Sequence, residues 1–481
     1  MSWIYIALSA YFVILVLVCL RIIYETYSST KALAYLFFCI FVPVIGIIFY
    51  LAFGINYWQR KLYTKKSGEN EAMLQELKKE IVQYNESIID LEHSGSDETS
   101  ELAAMLLKDL QSPLTRHNRV KLLLNGEEKF PELLQCLREA KHHIHLEYYI
   151  YEQDTIGCAI IDILISKARE GVKVRFIYDD FGSPSIKKKI EKRMCEAGIE
   201  IYPFSKVHFY LLANRINYRN HRKIVIVDGK TGFTGGINVS DKYINNNKNE
   251  LYWRDTHLRI DGPGVYYLQY IFITDWNFCC GEKIKPEAIY FGHNVAIKED
   301  ILVQVAASGP DSVQPSILFS ILQAIYLAKK EILITTPYFI PGDAVVYALR
   351  IAAQSGLTVK LLVPGKCDSR IVNSASRAHY EELLIAGVQI YVYNKGFVHS
   401  KTLVTDGTLS IIGTANMDHR SFELNFEVNA IIYDADFSEK MRQVFFEDLK
   451  DTEKLNAEEW YKRSLLKKLP EKLARLLSPS L

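Results

Sequence analysis

The sequence predicts an α/β protein in which two pseudo-symmetric α/β/α halves share one active site, preceded by a two-helix transmembrane hairpin. Three observations predict it. Two long apolar runs open the chain, a pattern of strands and helices then occurs twice, and each occurrence ends in the same short polar motif.

The apolar runs cover residues 3–20 and 32–53. Each is about long enough to cross a hydrocarbon core of roughly 30 Å. A cleaved signal peptide is the competing reading of the first run. No basic segment precedes that run, however, no clear small-residue cleavage site follows it, and a second run comes at once. The runs therefore read as a hairpin anchor over residues 1–60. Arg60, Lys61, Lys65 and Lys66 follow the second run. The positive-inside bias then makes this a multi-pass membrane protein with its N-terminus and its large C-terminal part on the cytoplasmic side.

Residues 61–115 turn polar and charged and read as a helical linker, with an exposed helix over 71–91 and a loop over 93–99. The repeat follows, in halves of residues 116–297 and 298–450. Predicted strands over 144–150, 171–178 and 199–202 are answered by strands over 332–339, 356–363 and 388–391, with helical segments between them. Each copy is thus an α/β layer with a mostly buried sheet. Two such copies can pair about a pseudo-twofold axis and build one site from both. The tail, 451–481, interleaves Leu465, Leu466, Leu469, Leu473, Leu476 and Leu477 with lysines and arginines. Such a helix suits an anionic membrane surface, or else packs its leucines on the domain.

The polar motif is H-x-K-x4-D. The first copy places His221, Lys223 and Asp228, and the second His399, Lys401 and Asp406. Both continue in the same register to a glycine and an asparagine, Gly235 with Asn238 and Gly413 with Asn416. On a strand, residues two apart share a face, so each histidine points with its lysine. Asp228-Gly229 and Asp406-Gly407 look like hairpin turns. The two aspartates complete the motif and are counted with the catalytic set, although a turn role suits them better than direct chemistry. An imidazole titrates near neutrality, so one histidine can attack while the other protonates a leaving group. The lysines, with Asn238 and Asn416 as phosphate-binding residues, offer donors to negatively charged oxygens, and a phosphodiester fits this array. No acidic cluster suggests a metal site, and no cofactor is expected. The net charge of +1 gives no pull toward nucleic acid. The eight cysteines lack zinc-like pair spacing and read as reduced thiols.

At these residues the chain resembles the phospholipase D superfamily. It resembles bacterial cardiolipin synthases more closely and over nearly its whole length. The resemblance is carried by Pro43-Val44-Ile45-Gly46, Tyr50-Leu51-Ala52-Phe53-Gly54, Asn125-Gly126-Glu127, Leu146-Glu147-Tyr148-Tyr149, Trp253-Arg254-Asp255-Thr256-His257, Thr336-Pro337-Tyr338-Phe339 and the run from Arg420 to Glu427. It implies phospholipase D-like halves and a phosphatidyltransferase of the bacterial cytoplasmic membrane. That enzyme joins two phosphatidylglycerol molecules into cardiolipin and releases glycerol through a phosphatidyl-histidine intermediate. By analogy His221 is the nucleophile and His399 the acid/base, an order that the near-symmetry of the motifs leaves open. Asp255 and Glu427 resemble acids that orient the histidines, with surface carboxylates as the alternative. Phosphatidylglycerol and anionic membrane lipids are the implied partners. Two other readings stand beside this one. A hydrolase on the same site would use water in place of a lipid alcohol, and a non-catalytic membrane scaffold would tolerate loss of a motif residue, although all are present. Tyr148, Tyr149, Tyr338 and Phe339 line a lipid groove or fill the core. Ser369, Arg370 and Arg377 meet a headgroup or lie on solvated surface.

Overall fold

A computed structural model describes residues 2–26, 29–42, 44–51, 98–204, 218–246, 251–280, 282–285, 287–292 and 297–478. The basic cluster at 60–66, the helix expected over 71–91 and most of the loop at 93–99 lie outside the described residues. The N-terminal helices are one compact unit, and the α/β body from Glu98 onward is another.

The first apolar run is a helix, Ser2–Glu25, long and apolar enough to cross a membrane. The second is not one long helix. It forms Ser29–Phe41 and then Ile45–Phe49, with Pro43 between them in the sequence. Proline has no N–H to donate, and its ring crowds the carbonyl of the preceding turn. Among the described residues one helix, rather than two, therefore has the length of a span. The two arms still pack, with Val18 and Ile22 against Cys39, Ile47 and Tyr50.

The strands of the body, in chain order, are β1 (Thr115–Leu124), β2 (His143–Tyr148), β3 (Lys173–Tyr178), β4 (Glu200–Pro203), β5 (Lys223–Val227), β6 (Thr231–Gly235), β7 (Tyr252–Arg254), β8 (Thr256–Asp261), β9 (Ile301–Ser308), β10 (Glu331–Thr335), β11 (Phe339–Ile340), β12 (Thr358–Pro364), β13 (Gln389–Tyr393), β14 (Gly396–Val398), β15 (Thr402–Thr405), β16 (Leu409–Gly413), β17 (Met417–Asp418), β18 (Glu427–Tyr433) and β19 (Thr452–Lys454). Fifteen of them make one continuous sheet. Its centre is the antiparallel pair β1–β9, where Thr115 faces Val303. Outward from that pair the order β1-β8-β6-β5-β2-β3-β4 is matched by β9-β18-β16-β15-β10-β12-β13, and β19 is added at one edge. Equivalent strands meeting antiparallel at the centre are what a twofold axis through the junction requires.

In each half the outer three strands are parallel. Parallel neighbours need a crossover, supplied by helices Thr155–Arg169 and Asp343–Gln354. Gly171 and Gly356 follow them with φ of 94° and 97°, a turn that costs a glycine little. The expected linker ends earlier than residue 115. Helix Glu98–Leu110 buries Leu102, Ala103 and Leu106 in the core of the second half.

The C-terminal helix Leu465–Arg475 docks by its polar side. Glu471 is buried and accepts from Arg463 at 2.8 and 2.9 Å and from Arg377 at 3.0 Å, while Lys468 bonds Glu381. The leucines face out, Leu465 at 81% and Leu466 at 86% exposure, so they do not pack on the domain. Arg377 is committed to this clamp, and Ser369 caps its helix by accepting from Val372.

Candidate active site

The motif histidines stand just ahead of β5 and β15, on extended lead-ins held by the opposite half. Asn220 bridges to Phe426 in parallel, and β14 pairs in parallel with β7, which sets Val398 beside Arg254. The His221 amide donates to the Phe426 carbonyl at 2.9 Å, and the His399 amide donates to that of Arg254 at 2.7 Å. Each histidine thus sits beside the residue following its bridge partner, which is Glu427 in one case and Asp255 in the other.

The pairs are crossed. His221 Nδ1 lies 2.9 Å from both Glu427 oxygens, and His399 Nδ1 lies 2.7 Å from Asp255 Oδ2. The first histidine takes its acid from the second half and the second takes its acid from the first. With Nδ1 engaged, each Nε2 is the ring nitrogen left free of the acid. Glu427 also accepts from Thr414 at 2.5 Å and from Asn425 at 3.3 Å. At the position matching Thr414, Gly236 leaves room for the shorter acid, since a Cβ there would sit 2.0 Å from Asp255 Oδ1. Between His221 and Lys223, Arg222 turns the other way and donates to Asp275 and to the Glu427 carbonyl.

The lysines are buried and donate to the carbonyls of their own histidines, Lys223 to His221 at 2.7 Å and Lys401 to His399 at 2.5 Å. Burial lowers Lys223 to about 7 and Lys401 to about 8. Burial likewise lowers His221 to about 4 and His399 to about 3, so both imidazoles are neutral at pH 7. Burial would raise the two acids, but the histidine and lysine beside each outweigh it and hold Glu427 and Asp255 below the usual carboxylate range. The site therefore pairs neutral imidazoles with ionised acids, next to two amines poised near neutrality.

Not every expected site residue reaches this cluster. Asp228 and Asp406, counted with the catalytic set, lie past the far ends of β5 and β15. The Asp228 carboxylate accepts from the amides of Lys141, His142 and His143, and Asp406 accepts from Lys329, Lys330 and Glu331. Both have φ of 54°. They are turn residues that cap the starts of β2 and β10. Asn238 is held at both ends, its Oδ1 accepting from Ile150 at 3.2 Å and its Nδ2 giving one of its two N–H groups to Tyr243 at 2.7 Å. Asn416 differs, because its Oδ1 is buried without a partner. Its nitrogen end is hydrogen-bonded to the Asp418 carboxyl group.

The walls hold residues the motif did not announce. The Tyr149 ring meets His221 edge-on at 4.8 Å. Trp253 and Phe397 lie 5.6 Å from His399, and Tyr243 lies 6.3 Å away. Lys129 is fully buried and donates to the carbonyls of Ile237 and Asn238. Nothing in a helix-forming stretch such as 125–139 marks that lysine as special. Among the described residues no three His, Cys, Asp or Glu side chains are grouped as a metal site needs.

Two half-sites on a pseudo-symmetric sheet, each giving a histidine and a lysine, define the phospholipase D-like class. A solved structure, phosphatidylserine synthase from Haemophilus influenzae Rd KW20, is similar in fold, with a TM-score of 0.58 at 15% identity over 80% of this chain and 100% of that one. The family model described as cardiolipin synthase, PLD-like domain, matches residues 133–262 and 321–449. A phospholipase D-nuclease N-terminal model matches residues 11–54. Cardiolipin synthase of Alkalihalophilus pseudofirmus is 42% identical over 100% of this chain and 95% of its own. Cardiolipin synthase 2 of Bacillus cereus is 43% identical over 95% and 88%. That of Geobacillus kaustophilus is 41% identical over 97% and 92%. The chain belongs to the cardiolipin synthase family, whose members are membrane-associated phosphatidyltransferases.

Proposed function

We propose that this protein transfers a phosphatidyl group from one phosphatidylglycerol to another, giving cardiolipin and glycerol through a phosphatidyl-histidine intermediate. The observation that carries the reading is the pair of crossed histidine–acid contacts, His221 with Glu427 and His399 with Asp255. Each contact engages Nδ1 of one imidazole and leaves its Nε2 free of the acid, as a nucleophile and its partner require.

His221 is the nucleophile in this reading, and its two-oxygen contact with Glu427 supports the assignment. Its Nε2 forms a bond to phosphorus while the P–O bond to the headgroup glycerol breaks, and His399 gives the departing oxygen a proton. A hydroxyl of the second lipid then gives its proton to His399. Its oxygen bonds to phosphorus, and the P–N bond breaks with its electron pair returning to His221. Lys223, Lys401 and Asn416 surround the non-bridging oxygens, whose negative charge favours protonated groups around it and so stabilises the imidazolium that burial alone opposes.

In this reading the helix Ser2–Glu25 and the broken second apolar arm anchor the protein in a bacterial cytoplasmic membrane, with the catalytic body on the cytoplasmic side. The basic residues after residue 59 support that orientation. The outward leucines and basic residues of the C-terminal helix suit the surface of an anionic bilayer. The test is incubation of the purified full chain with vesicles of labelled phosphatidylglycerol. Cardiolipin and free glycerol in equal amounts are expected. Phosphatidic acid alone would make the protein a hydrolase and refute the reading.

A further inference from the structure

The two flanks of the site are not equivalent. The register of the repeat sets Phe397 against Arg219, each two residues before its histidine, and Lys242 against Arg420, each four residues after its asparagine. Arg219 is 4% exposed. Its guanidinium lies over the ring of Phe181 at 4.2 Å, and its nearest carboxylate, Asp179, is 4.0 Å away, beyond hydrogen-bond distance. Its Nη2 is buried and has no partner. Arg420 stands in the short helix His419–Glu423, partly exposed; its carbonyl accepts from Leu424 and Asn425, and among the described residues its guanidinium makes no hydrogen bond. The Arg219 carbonyl accepts from the Phe426 amide at 2.9 Å and the Arg420 carbonyl from the amide of the preceding residue, Asn425, at 2.7 Å, so adjacent residues of one segment hold both arginines beside the His221 lead-in. On the other flank Phe397 lies against His399, and Lys242 lies over Trp253 at 4.6 Å. One flank therefore carries two guanidinium groups, and the other a single lysine set against aromatic rings.

A guanidinium taken out of water without a hydrogen-bonded anion is costly. Its planar fork matches the oxygens of a phosphate. We propose that Arg219 and Arg420 form a second phosphodiester site, which holds the phosphate of the lipid that accepts the phosphatidyl group. This rests on the reaction proposed above. Its product carries two phosphates joined by one glycerol, so the acceptor's own phosphate stays within a three-carbon bridge of the phosphorus under attack. The arginines form and break no bonds. They hold the acceptor so that its hydroxyl, rather than water, meets the phosphatidyl-histidine. The exposed ring of Phe181 beside Arg219 offers apolar surface to the same lipid.

The test compares two acceptors of one phosphatidyl-enzyme, using the full chain in phosphatidylglycerol vesicles. Cardiolipin formation uses an acceptor that brings a phosphate. Exchange of labelled free glycerol into phosphatidylglycerol uses one that brings none. Arg219→Gln and Arg420→Gln are each expected to lower the ratio of cardiolipin formation to glycerol exchange about tenfold, the loss of one charge-assisted contact. The double variant should lower it further, and Arg219→Lys should retain more of it than Arg219→Gln. Arg420 is partly exposed, so its variant keeps the test open if Arg219→Gln folds poorly. An unchanged ratio, or an equal fall in both reactions, overturns the second site while leaving the proposed function in place. An unsubstituted protein that exchanges glycerol yet makes no cardiolipin would overturn the function and this inference together.

Discussion

His399 Nδ1 lies 2.7 Å from Asp255 Oδ2, and the two residues belong to opposite halves of the sheet. His221 and Glu427 repeat the contact in the other direction. Neither half alone holds an oriented histidine. A phosphatidyl ester with a nitrophenol leaving group separates the two pairs, because that leaving group needs no acid. With it, His399→Ala and Asp255→Asn should keep a burst of one nitrophenol per enzyme, and His221→Ala and Glu427→Gln should lose it. With phosphatidylglycerol all four variants should fall about 10²–10⁴-fold. A burst pattern that groups His221 with Asp255 would contradict the crossed pairs.

The buried lysines set an alkaline limit. Lysine carries its charge below its pKa, and burial brings Lys223 to about 7 and Lys401 to about 8. Grip on a phosphate should be full near pH 6 and fade as pH rises through that window. The quantity to measure is kcat/KM for phosphatidylglycerol, which reports the free enzyme. Lys223→Arg should move the start of the limb upward, toward that of Lys401, since a guanidinium keeps its charge. A profile flat to pH 9 would count against the lysines as the phosphate grip. On stability the same shifts run the opposite way. Above pH 7 the unfolded amines bind protons that the folded ones have released, so rising pH relieves a burial cost.

Asp228 and Asp406 make a different prediction. Each accepts three backbone N–H groups at the start of a neighbouring strand. Asp228→Ala should cost about 2 kcal/mol of stability or more, the value of donors left without a partner. A lowered thermal unfolding temperature in detergent, with the nitrophenol burst intact, is the expected result. Lost activity at an unchanged unfolding temperature would return the aspartate to the chemistry.

The C-terminal helix should matter only where a bilayer is present. Leu466→Glu with Leu469→Glu removes two exposed leucines from the outward face. Burying one such side chain is worth about 1.5–3 kcal/mol. The pair should therefore raise KM for phosphatidylglycerol in vesicles about tenfold or more and leave KM for a detergent-dispersed short-chain lipid unchanged. An equal KM change on both substrates would make the face structural.

Much of this protein is legible in its sequence because much of it is local. The strand pattern, the duplication and the spacing that sets a histidine beside a lysine are written within a few residues of each other. The turn role of Asp228 and Asp406 was legible from the glycine after each. The broken second apolar arm was less so, since apolar composition continues across Pro43 while the helix does not. What only the tertiary structure decided lies between segments far apart in the chain. Glu427 is 206 residues from the histidine it holds, and Asp255 is 144 from its own. The Asn238–Tyr243 bond and the unpartnered Nη2 of Arg219 depend on what the fold brings near them, or fails to. A periodic pattern states which face a side chain takes, but which partner meets it there is settled by long-range packing of the two halves.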